Sequence, residues 1–265
     1  MRSLWKGSIS FGLVNIPVRL YAATEDRSVH FHLLHRRCHT PIRYQRFCPA
    51  CGETVPADEI VRACEWQRDV YVPVEDEELE RLPPAAAHTI RILDFVSLAE
   101  IDPIYFDRSY YLEPIEGAER SYALLRRAMG ESGRVAVAQV AFRQKEHLAA
   151  VRVYRGRVLV LETMHYPDEV RDPAPLHGTE PEAEVDPREL ELARTLIDRL
   201  AAPFDPGRYR DRYREALLEL VARKAQGEKW ELPRPREPVG VESLLEALRE
   251  SVRLAEAGAA AGSRK

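Results

Sequence analysis

Much of what marks a membrane protein, a secreted protein or a common enzyme is missing from this chain. In 265 residues no apolar run approaches the ~18 needed to cross a bilayer. The N-terminus carries no apolar h-region and no small-residue cleavage site, so nothing points to secretion. Cysteine is scarce: four residues, all between positions 38 and 64, a cluster suited to a metal rather than to stapling a whole fold. Reduced thiols and a cytoplasmic location are the expectation. No Gly-x4-Gly-Lys-Ser/Thr phosphate loop, Gly-x-Ser-x-Gly elbow or His-Glu-x-x-His motif occurs, so neither an enzyme nor a nucleotide cofactor is expected. Asp168, Glu169 and Asp172 form an acidic group that a Mg²⁺-dependent nuclease could use. With Arg171 among them and prolines beside them, they read instead as a loop held by an ion pair. There is no internal repeat.

An excess of positive charge is also lacking. The formal net charge is -4, which taken alone argues against a polyanion partner. The distribution argues the other way. Residues 1–50 hold eight basic side chains against Glu25 and Asp26, and residues 120–157 hold nine against Glu131 and Glu146. Residues 73–119 hold twelve acids against three arginines. Segregated charge can build a basic surface on an acidic protein. The plainer alternative is that each block is a solvated face.

What is present is a β-rich first part and a helical second part. Ile9, Phe11 and Leu13 alternate, and the phase then switches to Val14, Ile16, Val18 and Leu20. A phase switch means a turn or bulge, and Gly12 and Asn15 sit there. Strands are predicted over 66–74, 89–96 (Ile90, Ile92 and Phe95 inward), 105–111, 134–142, 148–153 and 158–163, the last two joined by a turn at Tyr154–Arg157. Short strands at this spacing indicate a barrel or sandwich. Helical turns are predicted at 75–82 and, with Tyr122, Leu125 and Met129 inward, at 121–129. Asp186-Pro187-Arg188-Glu189 reads as a helix start, followed by Leu192, Leu196, Ile197 and Leu200. Asp205-Pro206 reads as a second start, with Tyr209, Tyr213, Leu217 and Leu220 along one stripe. Little nearby chain covers these faces, so they read as an arm for a partner subunit, the alternative being a fold-back onto the barrel. Prolines 233, 235 and 238 mark a stiff linker. Val241, Leu244, Leu245, Leu248 and Val252 make a final amphipathic stripe, a natural partner-binding element.

Two motifs carry chemistry. His35-x2-Cys38 and Cys48-x2-Cys51-Gly52 have the spacing of a structural Cys3His zinc site, with Cys64 and His39 as competing ligands. The second motif is Arg143-Gln-Lys145, whose two cations share a face in an extended chain about 7 Å apart, near the spacing of successive phosphates. Arg43 and Arg46 flank Tyr44 in a shorter basic run; in a strand they would face opposite ways.

The opening block, from Trp5-Lys6-Gly through Asn15-Ile-Pro17-Val-Arg19-Leu-Tyr21, resembles the start of bacterial Ku. So do Phe31–Gly52, Asp107–Pro114, Arg143–Arg152, Tyr166–Arg171 and Phe204–Lys224, in order, over about residues 1–226. The resemblance implies a mixed β and α fold: a Ku-core β-barrel with a C-terminal helical arm, assembled as a homodimeric ring without a von Willebrand-type domain. The corresponding boundaries are 1–185 for the barrel with its His/Cys segment 30–64, 186–226 for the arm, 227–240 for the linker and 241–265 for the last helix and tail. The implied function is non-enzymatic. A ring threads onto double-stranded DNA ends in non-homologous end joining, near the nucleoid, and recruits the ATP-dependent ligase D. Its DNA-binding residues are then Lys6, Arg36, Arg43, Arg46, Arg143, Lys145 and Arg152. The dimer arm is carried by Leu192, Leu196, Tyr209, Tyr213 and Leu217, and ligase binding by Leu244, Leu245 and Leu248. One structural zinc is the cofactor to look for, at His35, Cys38, Cys48 and Cys51. A zinc-containing nucleic-acid-binding regulatory factor is the alternative.

Overall fold

The computed structural model describes residues 1–80, 88–142, 145–176, 185–227 and 244–262. The opening phase switch is a hairpin. β1 (Trp5–Phe11) and β2 (Val14–Ala22) pair from Trp5↔Leu20 to Phe11↔Val14, and a two-residue turn places Gly12 at φ 57°. Leu13, which the alternation placed in the strand, sits at the tip and is fully exposed. Two small antiparallel pairs follow. β3 (Phe47–Cys48) pairs with β4 (Glu53–Thr54), and β5 (Arg62–Gln67) with β6 (Val70–Val74), before the short helix α1 (Asp76–Glu80). The predicted strand 66–74 is thus a hairpin turning at Arg68-Asp69.

The remaining strands are β7 (Thr89–Ser97), β8 (Phe106–Pro114), β9 (Arg134–Phe142), β10 (Lys145–Tyr154) and β11 (Val158–Met164), with α2 (Glu119–Ser132) between β8 and β9. Together with β1 and β2 they close a seven-stranded barrel in the order β1-β2-β8-β11-β10-β9-β7. All neighbours are antiparallel except the closing pair, where Ser8, Ile9 and Ser10 run parallel to Thr89, Ile90 and Arg91. Alternating inward side chains fill the interior, among them Ile9, Ile16, Val18, Leu112, Val140, Val151 and Leu161, all buried. A β-bulge between Ile92 and Asp94 shifts the register of β7. The bulge brings Phe95, paired with Ala136, onto the same face as Ile90 and Ile92; it is 41% exposed and packs edge-on against Phe11. Tyr122, Leu125 and Met129 bury the predicted face of α2. The Tyr122 hydroxyl donates to the Leu112 carbonyl and accepts from the Leu159 N–H, each at 2.7 Å, which satisfies two backbone groups where helix meets barrel.

The chain divides after Asp172, and the second unit is made of 28–31 and 173–265. Here α3 (Pro187–Leu200) starts as predicted, with the Asp186 carboxylate accepting from Arg188 N–H at 2.8 Å. The second start is displaced. Asp205-Pro206 opens only a single 3-10 turn, and α4 (Arg212–Ala225) is capped by Asp211. Tyr209 therefore precedes the helix and stacks on Phe204. α5 (Leu244–Gly262) packs along α3, with Leu245, Leu248 and Val252 half-buried. The linker 227–240 lies outside the described residues except for Gly227.

The closing seam is tight. Ser8 N–H donates to the His88 carbonyl at 2.9 Å, and a Cβ on Gly7 would stand 2.2 Å from that oxygen and 2.2 Å from the Trp5 ring. We expect Gly7→Ala to lower stability by about 1–3 kcal/mol, as overpacking of a fixed site does; urea unfolding followed by circular dichroism measures it.

Candidate nucleic-acid interface

The described basic residues singled out from sequence occupy several distinct places. Lys6 is exposed on the outer face of β1, opposite Arg19 of β2, which reaches Glu113 at 3.8 Å. Arg36, Arg43 and Arg46 are all exposed in the segment between β2 and β4, where 41–46 is not a strand. Arg143 lies outside the described residues. Lys145 opens β10 with its ammonium 3.2 Å from the Glu169 carboxylate. Glu169 is held below the usual carboxylate range by the Tyr166 backbone N–H and by Lys145. The acidic loop is thus tied through Glu169 to Lys145 of β10, a partner distant in sequence.

Arg152 calls for a correction. It donates twice to Glu162 of the adjacent strand β11, at 2.9 and 2.7 Å, and only 26% of its side chain and 11% of that of Glu162 are exposed. A guanidinium committed to a nearly buried carboxylate is a structural tie across two strands, not a free phosphate contact. β10–β11 pairing opposes Arg152 to Val160, which brings Glu162 to the diagonal position on the same outer face.

Sequence reading missed the cluster beyond it. At the β10–β11 turn Arg155 and Gly156 both have positive φ, 49° and 66°. The Arg155 guanidinium lies 5.2 Å from the Tyr154 ring centroid, Tyr154 lies 6.3 Å from Tyr111, and Arg126 of α2 donates to the Gly156 carbonyl. These tyrosines, Arg155, Arg157 and Val158 line an open groove of about 360 Å³. Cations interleaved with aromatics are what a nucleic-acid surface uses. The signal was the tetrapeptide Tyr-Arg-Gly-Arg, which reads first as a turn.

The expected metal ligands form two pairs. His35 Nδ1 and Cys38 Sγ lie 3.0 Å apart in a tight turn, and hydrogen bonds to Thr40 lower the Cys38 thiol. Cys48 and Cys51 flank a turn closed by Gly52 N–H to the Cys48 carbonyl at 2.9 Å. Backbone and side-chain hydrogen bonds from Cys51 lower the Cys48 thiol, and the Cys51 thiol is raised. Cys64 stands exposed on β5. Among the described residues no group of three or more His, Cys, Asp or Glu gathers around one point. The donors therefore do not fit a four-ligand site as they stand.

The barrel has a cup at the end where β1 and β10 begin. Inward positions there change from aliphatic to aromatic and cationic: Trp5, Arg108, Tyr110, Phe142, Lys145 and His147. Phe142 lies 5.8 Å from Trp5, 5.7 Å from Tyr110 and 5.7 Å from His147 between ring centroids. Burial, and then the Lys145 charge, lowers the pKa of His147 against the opposing pull of Asp107 and Glu169.

Residues 10–192 match the family described as the Ku70/Ku80 beta-barrel domain. Over 98% of its length the chain is 52% identical to a protein of Symbiobacterium thermophilum named "Non-homologous end joining protein Ku", and it spans 65% of that protein. Proteins of the same name from Desulfitobacterium hafniense and Bacillus subtilis are 45% and 43% identical, each over 95% of this chain and over 87% and 82% of their own lengths.

Two outcomes are expected from this geometry. Arg152→Gln leaves Glu162 without its cationic partner and lowers stability by about 1–3 kcal/mol, and Arg152→Gln/Glu162→Gln recovers most of it; urea midpoints of the wild type, Arg152→Gln, Glu162→Gln and the double variant form the cycle. For His147 the unfolded chain takes up the proton first on acidification. Its contribution is therefore complete above an unfolded value of about 6.5 and is lost as pH falls through the lower folded value. His147→Gln should flatten the stability profile in that window, measured by thermal melts across pH.

Proposed function

Since the chain belongs to the Ku family, we propose that two copies of it form a ring around the broken end of a double-stranded DNA molecule and hold that end for joining. The observation that carries this reading is the segment 32–74. No residue in it is buried, yet Trp66, Tyr71, Val70 and Val72 stand exposed on a lone two-stranded pair. Such a pair is marginal in water without a further surface, and a second copy of the chain supplies one. In the second unit Ile197, Leu200, Phe204, Tyr209 and Tyr213 are likewise exposed. Of the arm positions named from sequence, Leu192, Leu196 and Leu217 are half-buried and the two tyrosines open.

The grip acts through cations on backbone phosphates, which give affinity without sequence preference. Lys6, Arg36, Arg43, Arg46 and Lys145 remain the exposed candidates, joined by Arg155 and Arg157 at the β10–β11 turn. Arg152 is left out because Glu162 holds it. A closed ring loads only where a duplex stops, so topology supplies end specificity. Recruitment of ligase D belongs to the C-terminal region. There Leu245 and Leu248 are half-buried on a helix packed along α3, so a ligase meets the outer face of α5, where Leu254 is exposed.

The test is competition between linear and closed circular duplex of one sequence, with the mass in solution measured alongside. The expected result is a two-chain species that linear duplex alone retains. Its affinity should fall about a thousandfold or more between roughly 50 and 200 mM salt, as for a grip on six or more phosphates. Equal retention of circular DNA, or a monomer, overturns the reading.

A further inference from the structure

We propose that the aromatic cup at the mouth of the barrel binds one unpaired nucleotide at the DNA end, a reading that rests on the end-binding function above. The mouth of a small barrel is a recurrent ligand site, and its inward positions are ordinarily filled or covered. Here the described residues enclose an open space of about 630 Å³, more than a nucleobase needs and enough for the sugar and phosphate behind it. Its walls are the flat rings of Trp5, Tyr110 and Phe142, which can stack on any base.

Polar groups sit where base edges would fall. The Thr163 hydroxyl donates to Asp107 Oδ2 at 3.3 Å, and Oδ1, in a long 4.0 Å pair with Arg108, has lone pairs left to accept from an exocyclic amine. The lowered pKa of His147 leaves a neutral ring offering one donor and one acceptor. Arg108, 75% exposed and 4.0 Å from Asp107, stands at the rim with Lys145, where the phosphate of an entering nucleotide would lie. Aromatic walls, paired polar groups and rim cations together fit a nucleotide, whereas a purely apolar ligand would leave the charges unmatched.

A base inside the duplex must be unstacked and unpaired to enter, which costs a few kcal/mol, whereas an overhanging base is already free. The cup therefore favours ends with a single-stranded extension over blunt ones.

The probe is a duplex with 2-aminopurine as its unpaired terminal nucleotide, compared with the same probe paired inside the duplex and with a blunt duplex. All are titrated with the full chain. We expect emission of the overhang probe to change on binding while the internal probe does not. The overhang duplex should bind about fivefold or more tighter than the blunt one, the scale of one base stacked on an aromatic side chain. Phe142→Leu keeps the apolar volume but removes the ring and should abolish the preference. His147→Ala, on the adjacent strand, serves as the second variant, with circular dichroism confirming that each folds. Equal behaviour of overhang and internal probes on a bound duplex overturns the nucleotide cup and leaves end binding standing. If instead the probe stays bright and the cup takes a labelled acidic peptide bearing tryptophan, it is a protein-docking site and the proposal fails. Failure to bind either duplex overturns the end-binding reading itself.

Discussion

Everything in the first unit depends on the parallel pairing that closes the barrel. β1 meets β7 over only three residue pairs, and residues 23–88 lie between β2 and β7 in the chain. So short a seam must be fixed by more than ladder hydrogen bonds. Gly7 lets the His88 carbonyl come close enough to accept from Ser8, while His88 Nδ1 lies 3.0 Å from the Lys6 carbonyl and its ring stacks 6.0 Å from Trp5. Closure removes both sheet edges, which would otherwise present unpaired N–H and C=O groups to other chains. It also gathers Trp5, Tyr110 and Phe142 at one mouth. The residues that tie the seam and those that line the cup are therefore neighbours, and Trp5 is both.

The second constraint is how charge is distributed between internal ties and open surface. Sequence counts treat every arginine alike, but register decides which are available. Arg152 is held by Glu162 and Arg127 by Glu131 at 2.7 Å, whereas Lys145, 3.2 Å from Glu169, keeps 62% of its side chain exposed. On a chain of net charge -4, affinity for a polyanion must come from local groups of cations outside such ties. The Arg155–Gly156–Arg157 turn has that character, because a tight turn projects both side chains outward and leaves no strand opposite them to supply a carboxylate.

Legibility in the sequence follows the range of the interactions involved. The opening hairpin, the inward face of α2 and the Asp186 cap could all be read, because each is set within a few residues by period, turn chemistry or capping. Phe95 breaks the alternation set by Ile90 and Ile92, and only a bulge in β7, invisible to period counting, accounts for its lying on their face. The Asp205-Pro206 start was misplaced because the same Asp-Pro cap serves a single 3-10 turn as well as a helix. The role of Arg152 was hidden, since it depends on strand pairing with a carboxylate ten residues away. The cup was illegible for a stronger reason: its walls come from residues between 5 and 163, and only barrel closure makes them adjacent.

The two proposed devices answer different physical needs. A ring that grips phosphates has no preferred register, because each step along a duplex presents equivalent charges. Electrostatics alone therefore lets it slide inward from the end once it has loaded. Holding position at a break requires a contact that only an end can make. A pocket for an unpaired base is such a contact: every interior base already stacks within the helix and loses that stacking on entry, whereas a terminal overhang loses almost nothing. On this argument the salt-sensitive cations set how tightly the duplex is held, and the aromatic mouth of the barrel sets where along it the protein rests.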